Sequence, residues 1–220
     1  MVKVNYEQAI KKPFTDLAKL IIGIVLSVVP IVHWLAKGFI LECSGMGKTK
    51  PSKKMPEFKD WWYLFVRGLA SDLILLIYAI PAILVFLVGA GTLIGSLAVE
   101  TPEVMSQIMS QNWYLAMPLL LQLAPTMIVV FILLLVAFYL TPIAVLNYLK
   151  TKRFGEAFNF SKVFKKALTA DYFVVWLIAL ILTAIVTTIL SIIPFFGPQI
   201  AFFVTGVIAY SLYGQIFGKV

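Results

Sequence analysis

From Gly68 through Leu149 the chain runs 82 residues without a Lys or Arg, and from Ala167 through Gly218 it runs another 52. No other feature restricts its folding so tightly. A soluble domain carries charge on about a quarter of its residues, whereas here 13% are charged and 61% hydrophobic over 220 residues. A soluble fold of this size would lack the charged surface it needs. That composition excludes an ordinary soluble enzyme, a disordered chain and a disulfide scaffold, and leaves a polytopic membrane protein.

The bases that are present, 18 Lys and Arg against 10 Asp and Glu, fall into three clusters: Lys3 to Lys19, Lys37 to Arg67 and Lys150 to Lys166. Cytoplasmic loops of membrane proteins carry such excesses. The expectation is therefore a multi-pass protein of the plasma membrane with basic loops and C-terminus cytoplasmic. Nucleic acid is not the expected partner, because these bases flank apolar spans. The single Cys43 and single His33 give neither an intramolecular disulfide nor a metal set. No signal-peptide pattern opens the chain, which is expected to insert intact.

A helix needs about 20 apolar residues to cross the hydrocarbon core. Four segments meet that length: Leu73 to Val99, Tyr114 to Leu140, Tyr172 to Ile193 and Phe195 to Phe217. The acidic connection Glu100 to Asn112 and the tight Pro194 turn belong outside on this scheme. The first apolar segment, Leu17 to Leu41, is broken by Pro30 and admits two placements. As a single kinked crossing it puts Lys3, Lys11, Lys12 and Lys19 outside, against the charge rule. As a re-entrant hairpin it keeps them inside, provided that its turn is covered by protein.

The fold class expected is all-α: a transmembrane helical bundle of four crossings plus an N-terminal re-entrant hairpin or fifth crossing. It forms one membrane domain over 1–220. A basic interfacial segment (1–16) precedes the hairpin or kinked crossing (17–41), then a cytoplasmic basic loop and amphipathic helix (42–71). A helical hairpin (72–149), a second cytoplasmic amphipathic helix (150–171) and a last helical hairpin (172–220) follow. An internal repeat runs through this plan. Ile10-Lys11-Lys12-Pro13-Phe14-Thr15-Asp16, Phe65-Val66-Arg67-Gly68-Leu69-Ala70-Ser71-Asp72 and Phe164-Lys165-Lys166-Ala167-Leu168-Thr169-Ala170-Asp171 each precede an apolar segment. Leu26-Ser27-Val28-Val29-Pro30 recurs as Leu190-Ser191-Ile192-Ile193-Pro194. The pattern reads as three units, each a short basic helix followed by a membrane hairpin.

Bases beside aromatics are the composition of a helix in the membrane interface. Lys11, Lys12, Trp61, Trp62, Arg67, Lys162, Lys165 and Lys166 are the residues expected to meet anionic lipid headgroups, at about 1 kcal/mol per base. The plainer reading is anchoring of the fold and an aromatic belt. Polar groups within apolar spans mark a path across a bilayer; here they are His33, Asp72, Gln122, Asn147, Asp171 and Gln199. The plainer reading gives helix capping to Asp72 and Asp171 and inter-helix hydrogen bonds to the amides. Gly45-Met46-Gly47-Lys48-Thr49 lacks the first glycine and the preceding strand of a phosphate loop, and reads as a basic linker. No catalytic set assembles, so neither enzymatic activity nor a cofactor is expected.

Three stretches carry a family likeness. They are Val29-Pro30 with Gly38-Phe39; Met55-Pro56-Glu57-Phe58-Lys59-Asp60-Trp61 into Leu64-Phe65-Val66-Arg67-Gly68-Leu69; and Phe154-Gly155-Glu156-Ala157-Phe158 to Ile193-Pro194-Phe195-Phe196-Gly197 and Tyr213-Gly214-Gln215. In these the chain resembles the domain-of-unknown-function family 4013 of archaeal and bacterial membrane proteins. It departs from that pattern at Phe58, at Phe39 and in a longer basic insert, Lys48 to Lys54. The resemblance implies a multi-pass helical protein and lends no catalytic residues. The expected role is a membrane-organising or accessory protein, with anionic lipid and itself or another membrane protein as partners. A transporter or channel for a neutral or apolar solute is the alternative.

Overall fold

Short polar residues open four of the helices. Asn5 Oδ1 accepts from Gln8 N at 2.9 Å, Asp16 Oδ1 from Lys19 N at 3.1 Å, Asn159 Oδ1 from Lys162 N at 3.3 Å and Thr169 Oγ1 from Tyr172 N at 3.4 Å. Each satisfies an amide that the first turn leaves unpaired. The structure, a computed structural model, describes residues 4–99, 106 and 117–218. Its helices are α1 (Tyr6–Lys11), α2 (Leu17–Val28), α3 (His33–Glu42), α4 (Trp61–Val99), α5 (Met117–Thr151), α6 (Phe160–Ala167), α7 (Ala170–Leu190) and α8 (Gly197–Phe217). Short 3₁₀ turns at Lys12–Thr15 and Phe154–Phe158 lead into α2 and α6. No strand occurs among the described residues.

Four helices are long and apolar enough to cross a membrane: Trp61–Ser96, Leu123–Thr151, Ala170–Leu190 and Gly197–Phe217. The chain is an all-helical membrane protein. It divides into two compact units, Met1–Ile74 with Tyr139–Val220, and Leu75–Phe138.

In the first unit α8 is the centre: 13 of its 21 residues are buried, against three of 21 in α7. α7, α2, α3 and α1 pack around it. Phe39 of α3 stacks on Phe203 of α8 and on Phe58, with centroids 5.9 and 3.9 Å apart. α3 also meets the start of α4 at backbone distance. A Cβ on Gly38 would lie 1.9 Å from the Leu64 carbonyl oxygen, and one on Gly68 2.0 Å from that of Trp34. The second unit is the far part of α4 and the near part of α5. There Gly89 leaves room for the Thr126 methyl, while Leu84, Leu87, Val88, Phe131 and Phe138 stay exposed. Such an apolar exterior is expected of a surface that faces lipid.

The segment expected over Leu17 to Leu41 is two short helices joined at Pro30, and it turns back on itself. Lys12 Nζ, just before α2, donates to the carbonyl of Cys43, just after α3, at 2.7 Å. The turn is built in a way the chain repeats. Ile31 has φ +70° and Val32 N donates to Pro30 O at 2.8 Å, with His33 N bonded to Val29 O. Between α7 and α8, Phe195 has φ +64°, Phe196 N donates to Pro194 O at 2.8 Å and Gly197 N bonds to Ile193 O. The two Leu-Ser-x-x-Pro motifs thus make the same γ-turn with a left-handed centre, a rare and strained form.

The second repeat unit departs from the plan. Its amphipathic helix is not separate from the crossing at 71/72: α4 is continuous from Trp61, because Gly68 and Ser71 do not break a helix and Ser71 Oγ bonds back to Gly68 O at 2.7 Å. Asp72 therefore lies within a helix and caps nothing. Asp171 is in the first turn of α7, beside its cap Thr169. The acidic connection expected over Glu100 to Asn112 lies, apart from Ser106, outside the described residues.

Candidate functional site

Of the bases expected at the headgroups, three turn inward, and they occupy equivalent places in the three repeats. Lys12 is 4% exposed and holds the Cys43 carbonyl at the end of α3. Lys166 donates to the Phe217 carbonyl at the end of α8 at 3.1 Å and lies 4.4 Å over the Phe217 ring. Arg67, 7% exposed, lies 4.3 Å over the ring of Tyr148 in the last turns of α5 and 4.9 Å over that of Tyr63. In each unit the base before the hairpin meets the end of the hairpin's second helix, where a cation is favoured by the helix dipole and, for Arg67 and Lys166, by an aromatic face. We call these contacts clasps. For Arg67 the expected headgroup contact is replaced by burial between two tyrosines, and its Nη1 has no hydrogen-bond partner.

The remaining bases and aromatics are outward. Lys11 pairs with Glu7 at 2.6 Å, both exposed, and the exposed Lys162 pairs with the half-buried Glu156 at 2.8 Å. The Lys162 ammonium is the main cause that holds the Glu156 carboxyl below its ordinary range. Along α6, Val163 and Ala167 are buried while Phe160, Lys162, Phe164 and Lys165 are exposed, followed by exposed Leu168. Trp62 is 76% exposed and stacks on Phe65, and Trp61 stacks on Phe58.

The expected polar path resolves into one cluster and scattered members. Asp72 accepts from Trp34 Nε1 at 2.8 Å, pairs with Lys37 and lies 3.8 Å from His33 Nε2. Lys37 was missed in the sequence because it reads as one more cytoplasmic base. His33 and Gln199 line one depression of about 240 Å³ with Ser27 and Phe202, and Gln199 Oε1 is buried without a partner. Asn147 is buried in α5 with its Nδ2 unpartnered, beside the Tyr148 of the Arg67 clasp. Asp171 is away in α7, and the side chain of Gln122 lies outside the described residues.

The Gly45 to Thr49 stretch closes over an internal carboxylate. Glu42, 4% exposed, accepts from Thr49 N at 2.9 Å, Lys48 N at 3.3 Å and Tyr63 Oη at 2.9 Å. Its amides are thus engaged by the protein's own acid, where a phosphate loop would hold them free for nucleotide. Beside it, a cavity of about 350 Å³ lies between α1, the Pro51 to Lys53 wall and the end of α8. Cys43 borders that cavity with its thiol buried and pushed up to about 12 by desolvation, so it is no nucleophile near neutral pH. No group of three or more His, Cys, Asp or Glu is placed to hold a metal among the described residues.

A family model described as "Protein of unknown function (DUF4013)" matches residues 21–195, well over half of the chain. No curated protein and no solved structure matches it.

Proposed function

This chain belongs to the DUF4013 family of proteins of unknown function, and from its own geometry we propose that it is a non-enzymatic, membrane-organising or accessory protein. It engages anionic lipid at the face where its clasps close. The observation that carries this reading is α6, an amphipathic helix of eight residues that buries Val163 and Ala167 and turns Phe160, Phe164, Lys162 and Lys165 outward. Aromatics that enter the acyl boundary beside bases that meet headgroups are what an interfacial helix requires. Its anchored position, tied through Lys166 to the end of α8, makes it a fixed contact rather than a loose tail. The clasped face is cytoplasmic in this reading, following the charge rule, and further copies or another membrane protein cover part of the exposed apolar surface. Full-length protein in nanodiscs tests it. Lys162→Glu with Lys165→Glu is expected to abolish preferential enrichment of anionic over zwitterionic lipid, measured by native mass spectrometry. Unchanged enrichment refutes the reading.

The alternative, passage of a neutral or apolar solute, is favoured by one observation: Gln199, whose Oε1 is buried and unpartnered, lines the same depression as His33, which adjoins the Asp72–Lys37 pair. If that cluster guides a solute, Gln199→Leu changes flux across proteoliposomes. A solute panel with no protein-dependent flux removes this reading.

A further inference from the structure

The repeat provides its own control for reading the cavity beside Lys12. Lys12 and Lys166 are equivalent clasps, each donating to the carbonyl that ends its hairpin. Around Lys166 the clasp is tightly packed, with a void of only about 10 Å³ among Ile143, Leu146, Tyr172 and Tyr213. Around Lys12 there is about 350 Å³, at the lower end of the range of small-ligand sites, and its mixed lining includes the polar residues Lys53, Ser44, Ser52, Ser211 and Gln215. A clasp needs no such space.

The charges of the lining are unbalanced. Lys12 is 4% exposed and, among the described residues, has no carboxylate within 4.0 Å, and Lys53 has none either. No acid lines the cavity. A buried ammonium without a counter-ion is costly, and desolvation holds the Lys12 amine below its ordinary pKa. Its bond to Cys43 O uses one of three donors. Further donors stand in the lining. Ser52 Oγ accepts from Lys54 N at 3.2 Å, which leaves its hydroxyl hydrogen to give, and Gln215 uses one amide hydrogen on Asn5 O at 3.3 Å. The wall that carries Ser52 and Lys53 belongs to the basic insert Lys48 to Lys54. Two ammonium groups with hydroxyl and amide donors at hand are the chemistry that recognises a phosphate.

We propose that this cavity binds a phosphate group, carried by an anionic glycerolipid headgroup or by a small soluble phosphoester, with Lys12 as its buried anchor and Lys53 at its mouth. The site is separate from α6 and does not depend on the outward bases.

The test uses the full chain in neutral detergent, titrated with inorganic phosphate and glycerol 3-phosphate by calorimetry, and in nanodiscs with or without phosphatidic acid, read by native mass spectrometry. Binding of glycerol 3-phosphate in detergent identifies a soluble phosphoester as sufficient. Retention of phosphatidic acid alone, with no soluble binding, assigns the site to a headgroup. In either case Lys53→Gln, at an exposed position, is expected to weaken binding about tenfold, and Lys12→Met to abolish it. Lys166→Met loses its clasp but keeps binding, and Lys162→Glu with Lys165→Glu keeps it as well, which separates this site from the interfacial reading. The proposal is overturned if none of the three probes binds, or if Lys53→Gln binds as wild type does. Should Lys12→Met fail to fold, the Lys53→Gln result decides.

Discussion

At Gly38 and Gly68 the backbones of α3 and α4 approach so closely that a single methyl has no place. The obstacles are main-chain oxygens, which cannot swing aside as a side chain does. Gly38→Ala and Gly68→Ala are each expected to lower stability by about 1–3 kcal/mol, the usual cost of overpacking. Thermal unfolding in detergent checks this, with Gly91→Ala as the control expected to lose no stability, because nothing lies within 4 Å of it. Other residues differ in how far the sequence announced them. The turn prolines Pro30 and Pro194 are legible, since an imide nitrogen cannot continue a helix. The left-handed Ile31 and Phe195 are not, because no β-branched or aromatic residue advertises a positive φ. Lys12, Arg67 and Lys166 are visible as repeated bases, but their partners at Cys43, Tyr148 and Phe217 are remote in the chain. Composition alone therefore placed them at the lipid surface.

At the scale of elements, each clasp fastens one helix end to another. Lys166 neutralises the carbonyl end of α8 and covers the Phe217 ring. Lys166→Met keeps the length and loses the charge, with an expected cost of about 1 kcal/mol for a partly exposed pair. The loss is local, so hydrogen exchange should rise in the last turn of α8 and not at its buried middle. The four long apolar helices were legible because hydropathy over a span suffices. The continuity of α4 was not, since Arg67, Ser71 and Asp72 look like an interruption when their partners are unseen. At 39 residues α4 is about 58 Å long, beyond the ~40–45 Å of a bilayer with its headgroups. At least one of its ends therefore reaches out of the hydrocarbon.

For the whole molecule, sidedness is a testable prediction, and burial decides which positions can report it. Asn5 is unsuitable, because its side chain caps α1 by accepting from Gln8 N. Glu7 and Lys50 are exposed near the clasps, and Ile192 is 82% exposed in the turn between α7 and α8. Single cysteines at Glu7 and Lys50 are expected to react with an impermeant maleimide from one face, and one at Ile192 from the other. Reaction of all three from one face contradicts the crossing of α7 and α8. Native Cys43 is expected to remain silent until the protein unfolds, being 2% exposed with its thiol pushed up to about 12.

The clasps also bear on the order in which such a chain can be put together. Lys12 finds its carbonyl 31 residues on, and Lys166 finds its own 51 residues on. Each lies within its own repeat. These two bases are therefore satisfied by the hairpin that directly follows them, while Arg67 meets Tyr148 only 81 residues on. Each hairpin can latch as soon as its second helix has emerged, and an added or deleted repeat would carry its own latch with it.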